Sequence, residues 1–523
     1  MSRLNTTVLT LSLVAGVVAA TAIIYPSLFD GSEPGPTKPD VSSTPANLEE
    51  FYSQKPVWSD CEGSNAEARC GYIKVPLNWS KPEQGSIDIA VAVNPAADPE
   101  NSPYLLMNPG GPGSSGRQWV TEYLDSLGTD LLKSEYNVVG FDPRGVGKST
   151  AIKCSDDKGL YKFYYEQSPF EYGSAKDLEY SKQSIAYFGA ACLENTGDLL
   201  GHVDTSSAAK DMDIIRAVLG SDKLNYLGFS YGTLLGTTYA TYFPENVGRF
   251  VLDGVVDPTS TSSEDSLNQL IGFESAMRSY LKDCIDNTSN CPFDGLTVDQ
   301  AMDKVGKDFL AVLEKGPVAT SERNRELSLN SGFTGMIAAL YSESSWQYLT
   351  QAFNEFFDKS DRDGRVFLVL ADSYFNYDSA SGTFASNANE AFKAISCIDG
   401  RESDDPESMK AQNELVQKTS KVFGKYWQYG GLACNKWPFD VKKGPSDYSA
   451  KGAPTMLVIG TTNDPATPYS QAKKLANEVL EKGYLLTYDG EGHTAYGSTN
   501  SCVDSTVDDF LITGKLPKTE KTC

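Results

Sequence analysis

A serine, a carboxylate and a histidine, each in a glycine- or proline-rich loop after an apolar run, are the residues best placed to do chemistry. Ser230 lies in Leu224-Asn-Tyr-Leu-Gly-Phe-Ser-Tyr-Gly-Thr-Leu-Leu-Gly236, a Gly-x-Ser-x-Gly turn between a strand-like run and a small-residue helical run. The motif alone decides little, because chance supplies about 0.3–0.4 such matches in a chain this long and this rich in glycine. Its setting decides more. A serine on so sharp a turn is held out of the sheet, and its hydroxyl lies near a helix N-terminus whose free N–H groups stabilise developing negative charge. A hydroxyl also needs a base at neutral pH, and the chain has only two histidines, His202 and His493. His202 precedes the helix before the serine strand and reads as structural. His493, in Asp489-Gly-Glu-Gly-His-Thr-Ala-Tyr-Gly497 directly after the last strand-like run, can reach over the sheet edge to Ser230. The acid that orients the imidazole is expected after the preceding strand, where Asn463-Asp464-Pro465 lies, with Asp253, Asp257, Asp489 and Glu491 as competitors. Ser230, Asp464, His493 is one of the chain orders in which such a relay occurs.

Two further loops imitate phosphate sites. In Asn108-Pro-Gly-Gly-Pro-Gly-Ser-Ser-Gly116, Gly111, Gly113 and Gly116 form a dinucleotide fingerprint, with Asp142 where a ribose acid could sit. Pro112 removes an N–H from the turn that should cradle pyrophosphate, so the flavin-dependent oxidoreductase this would imply is a distant reading. Gly147-Lys148-Ser149 ends like a phosphate-binding P-loop, but Asp142 stands where that motif needs its first glycine. The first loop gains a better role beside Ser230. There the backbone N–H groups of Gly111 and Tyr231 would form an oxyanion hole.

These loops need a scaffold. Short apolar runs at 72–77, 87–93, 104–107, 137–141, 224–229, 249–255, 455–460 and 484–488 predict strands buried on both faces. Helical periodicity between several of them, for example over 206–219, predicts an α/β fold with a largely parallel sheet flanked by helices. From 258 to 449 the rhythm breaks into mainly helical patterns at 270–284, 298–313, 345–357 and 409–422, a cap inserted after one strand. The expected organisation is an N-terminal leader over 1–24 and a Pro/Ser-rich linker over 25–50. A core over 51–257 follows, interrupted by a small excursion at 154–202, then the cap over 258–449 and the rest of the core over 450–523.

Composition narrows the function further. Of 523 residues, 45 are Lys or Arg and 69 Asp or Glu, a net charge of −24. Such a surface repels nucleic acid and anionic lipid. Two histidines leave nothing from which to build an imidazole-rich metal centre, so no metal and no cofactor are expected. Arg3 precedes an uncharged apolar stretch over 8–24, with Ala20-Thr21-Ala22 as a small-residue cleavage site. That reads as a secretory signal, the alternative being an uncleaved membrane anchor through 8–24. Either way the remainder is extracytoplasmic. The ten cysteines agree, and read in order they pair as Cys61–Cys70, Cys154–Cys192, Cys284–Cys291, Cys397–Cys434 and Cys502–Cys523. Asn78 and Asn287 head glycosylation sequons.

The stretches NPGGPGSSG (108–116), GFDPRGVGKS (140–149), LNYLGFSYGTLLG (224–236), VLDGVVDP (251–258), ND (463–464) and GEGH (490–493) resemble the tripeptidyl-aminopeptidase-like and proline-iminopeptidase-like branch of the α/β-hydrolases. AISCIDG (394–400) and CNKWP (434–438) resemble that branch's C-terminal part and support pairing Cys397 with Cys434. Iminopeptidases usually begin the oxyanion loop with His, where this chain has Pro109, which favours the tripeptidyl-like subgroup. The resemblance implies an α/β-hydrolase fold and a secreted serine exopeptidase releasing short peptides or single residues from free N-termini. A carboxylesterase on small esters or secondary metabolites is the main alternative, and an inactive binding protein a further one. An aminopeptidase also needs an anion for the substrate ammonium. Glu264, Asp265 and Glu274 are among the candidates, and the sequence does not choose between them.

Overall fold

The eight apolar runs all fall on strands of one sheet. A computed structural model describes residues 47–523 apart from 127, 323, 498 and 499. The expected leader, with its cleavage site, and the linker up to residue 46 lie outside the described residues. The strands are β1 (Ser59–Asp60), β2 (Arg69–Pro76), β3 (Ser86–Asn94), β4 (Tyr104–Asn108), β5 (Asn137–Phe141), β6 (Leu224–Phe229), β7 (Val247–Asp253), β8 (Met456–Asn463), β9 (Gly483–Glu491) and β10 (Lys521–Thr522). Their spatial order is β1-β2-β3-β5-β4-β6-β7-β8-β9-β10. The pairs β1–β2, β2–β3 and β3–β5 are antiparallel, and every pair from β5–β4 to β9–β10 is parallel. The strand expected over 249–255 ends earlier, at Asp253, because Gly254 turns out of it with φ +67°.

The central strands are buried on both faces, and alternate residues of one strand feed opposite faces, whereas β2, expected to be buried on both, leaves Tyr72 and Lys74 exposed on one face. Leu106, Tyr226, Phe250, Leu252 and Val458 enter one hydrophobic cluster, while Leu105, Leu227, Val251, Leu457 and Ile459 enter the cluster on the other side. A third cluster is built mainly from helices of the 258–449 stretch, among them Ser262–Asn287, Trp346–Phe357 and Arg365–Phe375. Tyr165, from the earlier excursion, also packs there. The helix Ala388–Asp399 does not. Its Ala391, Ala394, Ile395 and Ile398 pack with the sheet cluster. The helix expected over 298–313 is interrupted by a π-helical turn at Val305–Leu310.

All five disulfides join the cysteines as read in order: Cys61–Cys70, Cys154–Cys192, Cys284–Cys291, Cys397–Cys434 and Cys502–Cys523. Among the described residues no helix is long and apolar enough to cross a membrane. Asn287 is exposed at the end of its helix and Asn78 half-buried.

The loop after β5 is held by a buried ion pair. Arg144 is fully buried and donates to both carboxylate oxygens of Asp211 (2.7 and 2.6 Å) and to the carbonyls of Pro76, Leu77 and His202 (3.1, 3.1 and 2.7 Å). Trp79 Nε1 donates to the same carboxylate. Arg144 supplies the only opposite charge among the Asp211 contacts described above, so removing one partner strands a buried charge. Arg144→Ala is expected to lose about 3–5 kcal/mol of stability, read as a lowered urea midpoint with an unchanged m-value.

Candidate active site

The serine turn forms because its neighbours leave room for it. Ser230 stands between β6 and the helix Tyr231–Tyr242 with φ 53° and ψ −123°, a conformation strained for a residue with a side chain. A serine at a helix start ordinarily caps it by accepting a backbone N–H. Ser230 makes no such bond, which leaves its partly exposed hydroxyl free of the helix. Gly232 passes so close to Asn108 that a Cβ there would lie 2.7 Å from the Asn108 carbonyl oxygen, and no larger residue fits the turn.

The loop after β4 abuts this turn. Gly110 has φ +93°, and a Cβ on it would run into the Phe229 carbonyl and stand 3.0 Å from Ser230 Cβ and 3.1 Å from the Tyr231 nitrogen. The Gly110 N–H is occupied by Asn108 Oδ1 at 2.9 Å. The next N–H along the loop is that of Gly111, while Tyr231, as the first residue of its helix, carries one of the N–H groups a helix cannot satisfy internally. Of the two expected oxyanion donors, Tyr231 adjoins Ser230 in the chain and Gly111 follows Gly110, the residue that packs against the serine turn.

On the other side of β6 lies β7. The Ser230 N–H donates to the Asp253 carbonyl at 2.9 Å. The residue after Asp253 is Gly254, and a Cβ on Gly254 would meet His493 Cε1 at 3.2 Å. The imidazole is thus brought beside the strand end that Ser230 bonds. His493 Nδ1 is 2.9 and 3.0 Å from the two oxygens of Asp464, which is buried in the loop after β8. Asp464 also accepts from the N–H groups of Ala466 and Thr467 (2.9 and 2.8 Å) and from the Thr467 hydroxyl (3.0 Å). Burial works against a charged imidazole, but the Asp464 carboxylate outweighs it and raises the His493 pKa above its ordinary value.

The competing acids are engaged elsewhere. Asp253 turns its buried carboxylate to the N–H groups of Ala495 and Tyr496 (2.9 and 2.8 Å), just beyond His493, and burial pushes it up to about 6. Asp257 pairs with Lys474 at 2.6 Å, Asp489 accepts from Thr462, and Glu491 accepts from Asn463. Asp142 accepts from the Ser115 hydroxyl and the N–H groups of Arg117 and Lys148, which binds together the two loops that imitate phosphate sites. His202 sits far along the chain against Lys442 Nζ at 3.2 Å, and burial together with Lys442 and Arg144 lowers its pKa. Of the cap acids, Glu264 closes a capping box with Thr261 and Glu274 pairs with Arg278. Burial pushes Asp265 up to about 7, and one of its buried oxygens has no hydrogen-bond partner among the described residues. One contact was invisible in the sequence: the His493 N–H donates to the Tyr341 carbonyl (2.9 Å), and the two rings meet edge to face at 5.5 Å. Tyr341 belongs to the helical stretch, and no motif marks it.

Comparison with known proteins places the chain. Residues 103–293 match the alpha/beta hydrolase fold family, and residues 420–523 match the TAP-like protein family. The chain belongs to the TAP-like α/β-hydrolases. It is 34% identical to serine protease Hip1 of Mycobacterium tuberculosis, over 89% of this chain and 90% of that one. It is equally 34% identical to carboxylesterase B of the same organism, over 89% of each. Tripeptidyl aminopeptidase of Streptomyces lividans is 30% identical over 89% of this chain and 86% of that one.

The two histidines of this TAP-like chain are expected to titrate on opposite sides of the ordinary histidine value of ~6.5. Proton NMR should resolve one C2 proton shifting below that midpoint (His202) and one above it (His493). Asp464→Asn should lower the higher one, because the imidazolium loses its counter-charge. Two midpoints that both stay near the ordinary value would contradict the Asp464 pairing.

Proposed function

We propose that the protein is a secreted serine hydrolase working through an acyl-enzyme, and that it acts as an exopeptidase releasing short peptides or single residues from free N-termini. The observation that carries this reading is the buried Asp464–His493 pair, brought beside the strand end to which the strained Ser230 turn is bonded. Ser230 Oγ attacks the scissile carbonyl carbon as His493 Nε2 takes its proton. Charge builds on the carbonyl oxygen, where the N–H groups of Gly111 and Tyr231 stabilise it, each donor worth on the order of 3 kcal/mol. The C–N bond then breaks and His493 returns the proton to the leaving amine. Water, deprotonated by the same imidazole, frees the acyl group and regenerates the hydroxyl. Asp464 fixes the tautomer and steadies the imidazolium. No step draws on a metal or cofactor.

The helical stretch 258–449 acts in this reading as a cap. It reaches the His493 loop through Tyr341, and a covered site limits substrates to chain ends and small molecules. Two of the three relatives described above carry peptidase names, which favours peptides. Carboxylesterase B, as similar as the serine protease, supports a second reading in which small esters are the substrates. Disulfides throughout the described chain support an oxidising, extracytoplasmic setting.

A fluorophosphonate is expected to label Ser230 and to leave Ser230→Ala unlabelled. Asp464→Asn should lower kcat about 10⁴-fold. Only the neutral imidazole is a base, so kcat/KM should rise with pH through a midpoint above ~6.5. A digest of a peptide library, read by mass spectrometry, should show cuts near free N-termini and none inside folded proteins. Internal cleavage at good rates would overturn the capped-site reading, and short acyl esters hydrolysed while every peptide survives would favour the esterase.

A further inference from the structure

The helix Ala388–Asp399 touches the site at two points and carries an exposed ring between them. At its start, a Cβ on Gly113 would collide with the Ala388 carbonyl and stand 3.0 Å from the Phe392 nitrogen, so this helix lies against the glycine-rich loop two residues past Gly111. Asn387, which precedes the helix, donates to the Gly145 and Ile152 carbonyls (2.9 and 2.8 Å) and fixes that end to the loop after β5. At its finish, Asp399 accepts from the N–H and hydroxyl of Thr205 (2.9 and 2.6 Å), and the same hydroxyl hydrogen-bonds the Tyr231 phenol at 2.5 Å. Tyr231 is the residue next to Ser230.

At 100° per residue, Ala388, Phe392 and Asp399 share one face of this helix. Phe392 therefore points the same way as the two anchors, and a helical side chain leans toward the N-terminal turn, here toward Gly113. A large apolar side chain between two such anchors would ordinarily be buried. Phe392 is instead 46% exposed, while Ala391, Ala394 and Ile398, turned about 100° or more round the helix from it, are 0% exposed. The exposed ring therefore belongs to the helix face that carries the two anchors. Exposing so much ring carbon to water is unfavourable unless another apolar group covers it.

Sheet order says which part of a substrate that group is. The strand ending at Ser230, β6, lies between β4 and β7. His493 approaches from the β7 side, beside Gly254, and the leaving group must lie there to receive its proton. The loop after β4, with Phe392 against it, lies on the opposite side, where the retained acyl group goes. We propose that Phe392 forms the wall of the acyl pocket, so that the enzyme prefers substrates whose acyl residue carries an apolar side chain of a size set by this ring. The proposal deepens the hydrolase reading and rests on Ser230 being the nucleophile.

The test uses p-nitrophenyl acetate, butyrate, hexanoate and octanoate, which share one leaving group and differ only in the acyl chain. Phe392→Ala, which enlarges the pocket, is expected to raise the ratio of kcat/KM for the longest over the shortest ester at least tenfold, mainly through KM. Phe392→Trp is expected to lower it by a similar factor, and Phe392→Leu to stay near the wild type. Fluorophosphonate labelling of each variant separates a changed pocket from a lost fold. Ratios within twofold of wild type in both the Ala and Trp variants, with labelling intact, would overturn the pocket assignment and leave the nucleophile untouched. A wild-type protein that neither labels nor hydrolyses any ester would overturn the nucleophile, and the pocket with it.

Discussion

Asp253 holds the site in register. Its backbone carbonyl accepts the Ser230 N–H, and its carboxylate accepts the N–H groups of Ala495 and Tyr496, immediately past His493. The strained serine turn and the histidine loop, some 260 residues apart in sequence, thus hang from the last residue of one buried strand. The arrangement has a cost: burial in the sheet raises the carboxyl to about 6, against the pull of two N–H donors. Hydrogen bonds of fixed length transmit position better than side-chain packing does, because they leave little freedom in direction. The end of β7 thus ties the serine turn to the backbone just past His493, while Asp464 contacts the ring itself.

Much of this was legible in the sequence, for a physical reason. Strands buried on both faces are continuously apolar, so the central strands showed themselves, and β2, with Tyr72 and Lys74 exposed, still kept enough apolar residues to be seen, whereas the two-residue strands Ser59–Asp60 and Lys521–Thr522 carry too few residues to form a pattern. A chain with two histidines made the candidate imidazole easy to single out, and its pairing with Asp464 followed from the place of that residue after the penultimate run. Cysteine order matched the bridges because each closes a local loop, with separations from 7 to 38 residues. What stayed hidden were roles that depend on neighbours distant in sequence. Asp253 entered as a rival acid, and nothing in VLDG says that its carboxylate faces Ala495 and Tyr496. Arg144 sat in a loop read as a failed phosphate site, and only the fold reveals its five bonds to Asp211 and three carbonyls. The helices Leu329–Leu340 and Arg365–Phe375 also gave no clear signal. Leu329–Leu340 buries most of its residues, which blurs the amphipathic period.

The helical stretch is joined to the sheet more intimately than a separate lobe would be. Ala388–Asp399 lies within it by sequence but packs with the sheet cluster, and Tyr165 of the earlier excursion packs with the helical cluster. Each hydrophobic cluster thus borrows residues from the other's segment, which favours folding of the two as one cooperative unit.

The bond from the His493 N–H to the Tyr341 carbonyl has a consequence for anyone hoping to re-engineer this enzyme. Exchanging insertions between relatives is an attractive way to alter substrate choice, on the view that the scaffold supplies reactivity and the insertion supplies taste. Here the helical stretch also supplies a carbonyl that accepts the backbone N–H of His493. A transplanted one would have to reproduce that carbonyl, or the recipient would inherit a new preference together with a slack histidine.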